Sequence, residues 1–129
     1  MKAFVADTHA LAWHLIEPKR LGKLARRASD GADSGRLVCH IPAISLVEVS
    51  LLHERGRLRV GAVQVLEAVA GHPGYAVLPL DIEQALEFST LVGLKDPIDR
   101  LIAAAARAAK ARLVSVDIVF DGFAERVWD

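Results

Sequence analysis

Apolar and polar positions alternate between two periods along this chain, and each change of period marks the edge of an expected element. Residues 2 to 6 are almost continuously apolar, as expected of a strand buried on both faces. Thr8 can cap a helix that begins near His9 and stops before Pro18. A basic helical stretch covers residues 19 to 29, and a turn-rich segment follows over residues 30 to 35. Residues 36 to 41 read as a second strand, ended by Pro42. Ser45 is placed to cap a helix reaching about Arg55, with Glu48 three residues on at the spacing of a capping box. Gly56 breaks that helix, and the next, over residues 61 to 70, stops at Gly71-His72-Pro73-Gly74.

A short strand is expected over residues 75 to 78 and a helix from Ile82 to about Val92. Asp96-Pro97-Ile98-Asp99 has the form of a helix start, with acids at the positive end and Pro near the first turn. That helix runs through the alanines to Lys110, a strand follows over residues 113 to 116, and Phe120, Phe123, Val127 and Trp128 suit a docking tail. Strands separated by helices imply an α/β fold, a three-layer α/β/α sandwich with a central parallel sheet. The whole chain, residues 1–129, is expected to form one domain.

Four acids stand where these apolar segments end or begin. Asp7 closes the first strand, Asp117 follows the last, Glu48 lies in the apolar Leu46-Val47-Glu48-Val49, and Asp99 opens the alanine-rich helix. Ligands of open parallel sheets bind beyond the carboxyl ends of the strands, so this topology brings all four acids toward one edge. Clustered carboxylates raise one another's pKa values unless a counter-ion relieves them, and hard Mg²⁺ or Mn²⁺ suits all-oxygen donors. Taken singly, each acid also has a structural role open to it: a strand-end cap for Asp7, a turn for Asp117, a helix start for Asp99, a capping box for Glu48.

Composition narrows the classes. An apolar fraction of 53% with 25% charged residues fits a folded chain, and 16 basic against 16 acidic residues leave no bulk charge to attract nucleic acid. Any such surface must be local. The single cysteine, Cys39, is expected to be a buried, inert thiol. No basic stretch followed by a signal-type core opens the chain, and no apolar run approaches the roughly 20 residues needed to span a bilayer. The expectation is a cytoplasmic protein with no membrane contact. His9, His14, His40, His53 and His72 make no zinc spacing.

The motifs resemble those of the PIN-domain ribonucleases, and among them the VapC-type toxins of toxin–antitoxin pairs. Asp7-Thr8-His9-Ala10-Leu11 is similar to the family's N-terminal acidic motif. Ala43-Ile44-Ser45-Leu46-Val47-Glu48 is similar to the segment with its helical Glu, and Asp96-Pro97-Ile98-Asp99-Arg100 to an Asp-Pro-Phe-Asp-Arg pattern of one toxin subgroup. Ser115-Val116-Asp117 resembles the closing Thr-x-Asp motif. Ile98 in place of an aromatic and Ser115 in place of Thr are mild departures.

The resemblance implies an endoribonuclease using Mg²⁺ or Mn²⁺ held by Asp7, Glu48, Asp99 and Asp117. It also implies an RNA substrate, a homodimer and a VapB-like antitoxin partner. Thr8 and Ser115 would orient carboxylates, Ser45 would support the Glu48 helix, and Asp96 would line the pocket or cap its helix.

Weaker signals concern RNA contacts. Lys19, Arg20, Lys23, Arg26 and Arg27 form one cationic group and Arg55, Arg57 and Arg59 another, each a phosphate-binding surface or simply a solvated face. Arg100 is a candidate for a phosphate contact or for pairing with Asp96, and His9 for touching substrate. Trp13 and Ile16 share a helix face with His9 and suit core or interface. An apolar groove between residues 10 to 16 and 44 to 63 would receive an antitoxin helix. Two rivals remain. One is a non-catalytic PIN-like binding module. The other is a phosphotransfer domain with Asp7 as nucleophile, which would want an Asp where His9 stands.

Overall fold

The computed structural model describes residues 1–129. Five strands alternate with helices: β1 (Ala3–Ala6), α1 (Thr8–Ile16), a 3-10 turn (Pro18–Arg20), α2 (Lys23–Asp33), β2 (Val38–Pro42), α3 (Ala43–Glu54), α4 (Ala62–Val69), β3 (Tyr75–Leu78), α5 (Ile82–Thr90), α6 (Pro97–Ala108), β4 (Arg112–Val114), a second 3-10 turn (Ile118–Phe120) and β5 (Arg126–Val127). The sheet order is β3-β2-β1-β4-β5, and every pairing is parallel. β1 is central, with Phe4 opposite Cys39 on one side and Arg112 on the other.

Alternation along β1 distributes the core to two faces. Phe4 and Ala6 join Leu11, Ala25, Ala28, Ile41 and Val49 on one side of the sheet. Val5 joins Ile102, Ala103, Leu113 and Phe120 on the other. Each fully buried Phe, Ile or Leu side chain contributes about 1.5–3 kcal/mol. A strand covered on both faces has no polar side to show, hence the apolar run that opens the sequence. The three-layer sandwich is therefore as expected. The four consecutive alanines Ala103–Ala106 are all essentially inaccessible, so small side chains let α6 lie close to both α5 and the sheet.

Local starts and stops differ from the sequence reading. α2 continues through the segment expected to turn, because Gly31 there serves packing: a Cβ on it would lie 2.6 Å from Leu37 Cδ1. The chain turns at Gly35 instead, with φ 77°. Helix α1 is capped by Asp7, not Thr8, which is its first residue. Helix α3 leaves β2 directly after Pro42, so Ser45 is its third residue and no capping box with Glu48 forms. The fifth strand, two residues long, has no mark in the sequence pattern; it pairs Arg126 and Val127 with Leu113 and Val114 and brings Trp128 against the core. Cys39 is buried as expected, and burial pushes its thiol up to about 12. No helix is long and apolar enough to cross a membrane.

Candidate carboxylate site

Parallel strands end at one edge, and the chain places its acids there. Asp7 is the residue after β1 and Ser115 the residue after β4. Helix α3 begins at that edge because it follows β2 directly. Helix α6 runs back against the strands, so its first turn, with Asp99, also lies there. Asp7, Glu48, Asp99 and Asp117 line a single cleft of about 420 Å³, with His9 at its rim and Trp13, Ile102, Val116 and Ile118 as apolar walls. Four residues up to 110 positions apart in sequence thus face one space, although Glu48 comes from the second turn of its helix instead of the first.

The acids are held differently. Asp7 is only 6% exposed and both its oxygens are engaged: one accepts from the Ala10 amide at 2.9 Å, the other from the Ser115 hydroxyl. Ser115 Oγ in turn accepts from the Asp117 amide at 3.0 Å. Asp117 Oδ1 accepts from the Val119 amide, which closes the turn beneath it. Burial raises the Asp7 pKa despite the two hydrogen bonds, and the Glu48 charge adds slightly to the rise. Asp99 is half-buried with no donor of its own. Burial and the charges of Asp96, Asp117, Glu48 and Asp7 push its carboxyl up to about 6.

The supporting residues also take definite places. Asp96 caps α6, accepting from the Ile98 and Asp99 amides at 2.9 and 3.0 Å, and it is exposed outside the cleft lining. Thr8 and Ser45 are buried at 1% and 0%, and neither hydroxyl has a partner. Arg100 neither pairs with Asp96 nor lines the cleft. Its Nε donates to the Phe88 carbonyl at 2.9 Å and its guanidinium lies 4.1 Å over the Phe88 ring, which ties α6 to α5. The first cationic group splits up: Arg26 donates to the Pro18 carbonyl, Arg27 faces another cleft, and Arg20 stacks 4.2 Å over Trp13.

Sequence reasoning missed this Arg20–Trp13 pair. The two residues are separated by the helix end at Pro18, and no periodicity links them. It also missed Val116 and Ile118 as cleft walls, since both sit in a turn.

The donor set suits a hard divalent cation. Every candidate ligand is a carboxylate oxygen, Asp99 has no donor on either oxygen, and none of the chain's five ion pairs uses an acid of the cleft. No three His, Cys, Asp or Glu side chains already close into an ion cage, so what the fold gathers is the type of donor. A larger cleft of about 530 Å³ adjoins this one and shares His9 and Trp13, but its single carboxylate, Glu17, is paired with Arg20 at 3.5 Å. The acid chemistry belongs to the smaller space.

The profile of the PIN domain matches residues 4–126. The chain belongs to the PIN-domain family. Its fold matches that of solved structures with little sequence in common. VapBC2 from Rickettsia felis, crystallised with a DNA fragment from its promoter, superposes with a TM-score of 0.74 at 14% identity, covering 98% of this chain and 99% of that one. A toxin–antitoxin complex from Klebsiella pneumoniae gives 0.68 at 16% identity over 96% and 95% of the two chains. The sarcin–ricin-loop-cleaving toxin VapC20 from Mycobacterium tuberculosis gives 0.61 at 19% identity over 98% and 99%. No curated protein matches the sequence. In this PIN domain the four acids of the cleft are those that the sequence motifs singled out.

Proposed function

We propose that this PIN domain is a Mg²⁺- or Mn²⁺-dependent endoribonuclease, the toxin of a toxin–antitoxin pair, that hydrolyses RNA phosphodiester bonds in the four-acid cleft. The observation that carries the reading is the convergence of Asp7, Glu48, Asp99 and Asp117 on one cleft, where Asp99 has no partner on the chain. Carboxylates gathered without compensating cations are costly in a folded chain, and a bound cation offsets that cost. The matched fold of a toxin that cleaves the sarcin–ricin loop supports RNA as the substrate class.

Asp7, Glu48, Asp99 and Asp117 would hold the cation. When bound, it lowers the pKa of water at the site and offsets charge on the phosphate and the leaving oxygen. The chain supplies the rest. Ser115 keeps the Asp7 carboxylate in one orientation by donating to it, and through its Oγ it also fixes the Asp117 backbone. Asp99, with no donor on the chain, leaves its oxygens open to the cation. Ile102, Val116 and Ile118 keep the walls apolar, which strengthens the electrostatics between them. His9, exposed at the rim, is within the cleft lining for a contact to RNA.

The Klebsiella relative is a toxin–antitoxin complex, which supports an antitoxin as the regulatory partner here. Val77, Leu80, Ile82 and Leu86 are exposed along the β3 edge and α5, and a homodimer would cover them. The test is cleavage of total and structured RNA by purified, partner-free protein in Mn²⁺, Mg²⁺ and EDTA, with Asp99→Asn as the contamination control. Metal-dependent cleavage lost in Asp99→Asn is the expected result. A folded protein that neither cleaves nor is stabilised by Mn²⁺ would overturn the reading and leave a PIN-fold binding module.

A further inference from the structure

An acidic cleft by itself repels a polyanion, and this chain has no net charge to offset that repulsion. The cleft adjoining it has the opposite character. Arg20, Arg57 and Arg59 line its about 530 Å³ against the single carboxylate of Glu17, and His9 and Trp13 form the wall common to both spaces.

The three cations are placed rather than merely present. Arg20 lies 4.2 Å over the Trp13 ring, which fixes a guanidinium that would otherwise sample many rotamers. Its pairing with Glu17 spans 3.5 Å between side chains that are both 55% exposed, too weak and too open to neutralise it. Arg57 and Arg59 are exposed and enter none of the chain's ion pairs. The loop that carries them is anchored all the same. The Arg57 amide donates to the Leu52 carbonyl at 2.8 Å, and His53 Nδ1–H donates to the Leu58 carbonyl at 2.9 Å. Unpaired guanidiniums on a fixed loop, one wall away from the acids, are the arrangement expected where phosphate groups bind next to a reacting one.

We propose that this cleft seats the single-stranded RNA flanking the scissile phosphate, with Arg20, Arg57 and Arg59 on its phosphates and Trp13 as a positioning residue that holds Arg20. The proposal rests on the nuclease reading and assigns its substrate a direction: RNA enters the acid cleft past the His9–Trp13 wall.

The test is fluorescence anisotropy of a labelled 12-nucleotide single-stranded RNA, in EDTA so that no cleavage occurs, across a salt series. Arg57→Gln/Arg59→Gln is expected to bind roughly tenfold more weakly or worse. The slope of log K on log salt should become shallower by roughly 0.7 for each phosphate that the variant no longer neutralises. Arg36→Gln, outside both clefts, serves as the control for charge alone. Trp13→Phe should weaken binding in the wild-type background but not in Arg20→Gln, a coupling that mere loss of packing would not produce.

Wild-type protein that neither binds this RNA nor cleaves RNA in a parallel assay with Mn²⁺ would overturn the nuclease reading together with this one. Cleavage by the wild type in that Mn²⁺ assay, with unchanged affinity and slope in Arg57→Gln/Arg59→Gln, would overturn this inference alone. Unchanged RNA binding in that variant, with loss of a protein chain that co-purifies with the wild type, would overturn it in favour of a protein ligand.

Discussion

Asp7 and Asp99 face the same cleft, and their surroundings are unlike. Asp7 sits at the end of the central strand, buried, with each oxygen hydrogen-bonded and its place also serving to cap α1. Asp99 sits in the first turn of α6, half exposed, with nothing donating to it, and burial and four like charges push its carboxyl up to about 6. The fold keeps Asp7 in position whatever occupies the cleft. Only a ligand from outside the chain can give Asp99 a partner. Asp7 is therefore built into the scaffold of the fold, and Asp99 is not.

The largest expected effect removes the charge from either acid. Asp7→Asn and Asp99→Asn should each lower RNA cleavage by about a thousandfold, since losing a ligand forfeits several kcal/mol of transition-state charge stabilisation. Stability then separates the two positions. At Asp7, Asn keeps an acceptor for the Ala10 amide and Ala does not, so Asp7→Ala should be less stable than Asp7→Asn by about 1 kcal/mol. At Asp99 nothing accepts or donates, and Ala is the better helix former, so Asp99→Ala should be at least as stable as Asp99→Asn. Both substitutions at each site remove the same charge, so the difference isolates the hydrogen bonding. Thermal melts showing the same order at both positions would break the comparison.

Under the proposed function proton and metal compete for Asp99, which makes pH the next lever. Folding raises this carboxyl from its ordinary value of 3.8 to about 6, so the folded state holds the proton more tightly than the unfolded chain does. Its contribution to stability is fully present below 3.8 and is lost as pH rises through about 6. A cation must displace that proton. Mn²⁺ affinity, read from the metal-induced rise in Tm, should therefore fall by about tenfold per pH unit below 6 and level off above it. In Asp99→Asn the pH dependence should flatten. A wild-type response independent of pH between 5 and 7 would remove Asp99 from the ligand set.

Much of this was legible because parallel sheets leave strong marks in sequence. The run at residues 2 to 6 reads as a strand covered on both faces, Asp7 marks its end, and Asp96-Pro97 marks the start of α6, whereas β4 stops at Val114 and Asp117 caps the 3-10 turn after it. The misreadings share one cause, that a residue type with a local meaning was recruited by tertiary packing. Gly31 reads as a turn but makes room for Leu37. Ser45 reads as a cap but is buried inside α3, and Arg100 reads as a phosphate contact or a partner for Asp96 but stacks on Phe88. β5 is two residues long and borrows its register from β4, so no periodicity announces it. The Arg20–Trp13 stack and the second cleft depend on how α1 meets the loop after α3, which only the folded chain reveals.

Ser115 joins Asp7 to Asp117 and should give an intermediate effect. Its hydroxyl donates to Asp7 and accepts from the Asp117 amide, and the side chain is fully buried. Ser115→Ala leaves both without that partner, at a cost of about 1–3 kcal/mol by chemical denaturation. Without the donated hydrogen bond the Asp7 carboxylate also takes its proton at higher pH, so the acid limb of the pH–rate profile should move upward. Ser115→Thr keeps the hydroxyl and should restore most of both. If Ser115→Ala melted like the wild type with an unmoved acid limb, Asp7 would not depend on this hydrogen bond.

The smallest effect concerns a hydroxyl that has no partner at all. Ser45 is fully buried on α3, three residues before Glu48 and so on the same helical face, and its Oγ is unsatisfied. A buried hydroxyl without a hydrogen bond destabilises, and Ala has the same shape without the oxygen. Ser45→Ala should therefore leave the metal-free protein unchanged or stabilise it by up to about 1 kcal/mol, where an ordinary buried Ser in a satisfied network would lose stability. If the hydroxyl serves the acid beside it once a cation is bound, the same variant should need about tenfold more Mn²⁺ for an equal rise in Tm. A metal-free protein more stable than wild type, yet less responsive to Mn²⁺, would place Ser45 with Asp99 among the groups whose partner comes from outside the chain. A loss of stability without metal would place it with Asp7, as scaffold.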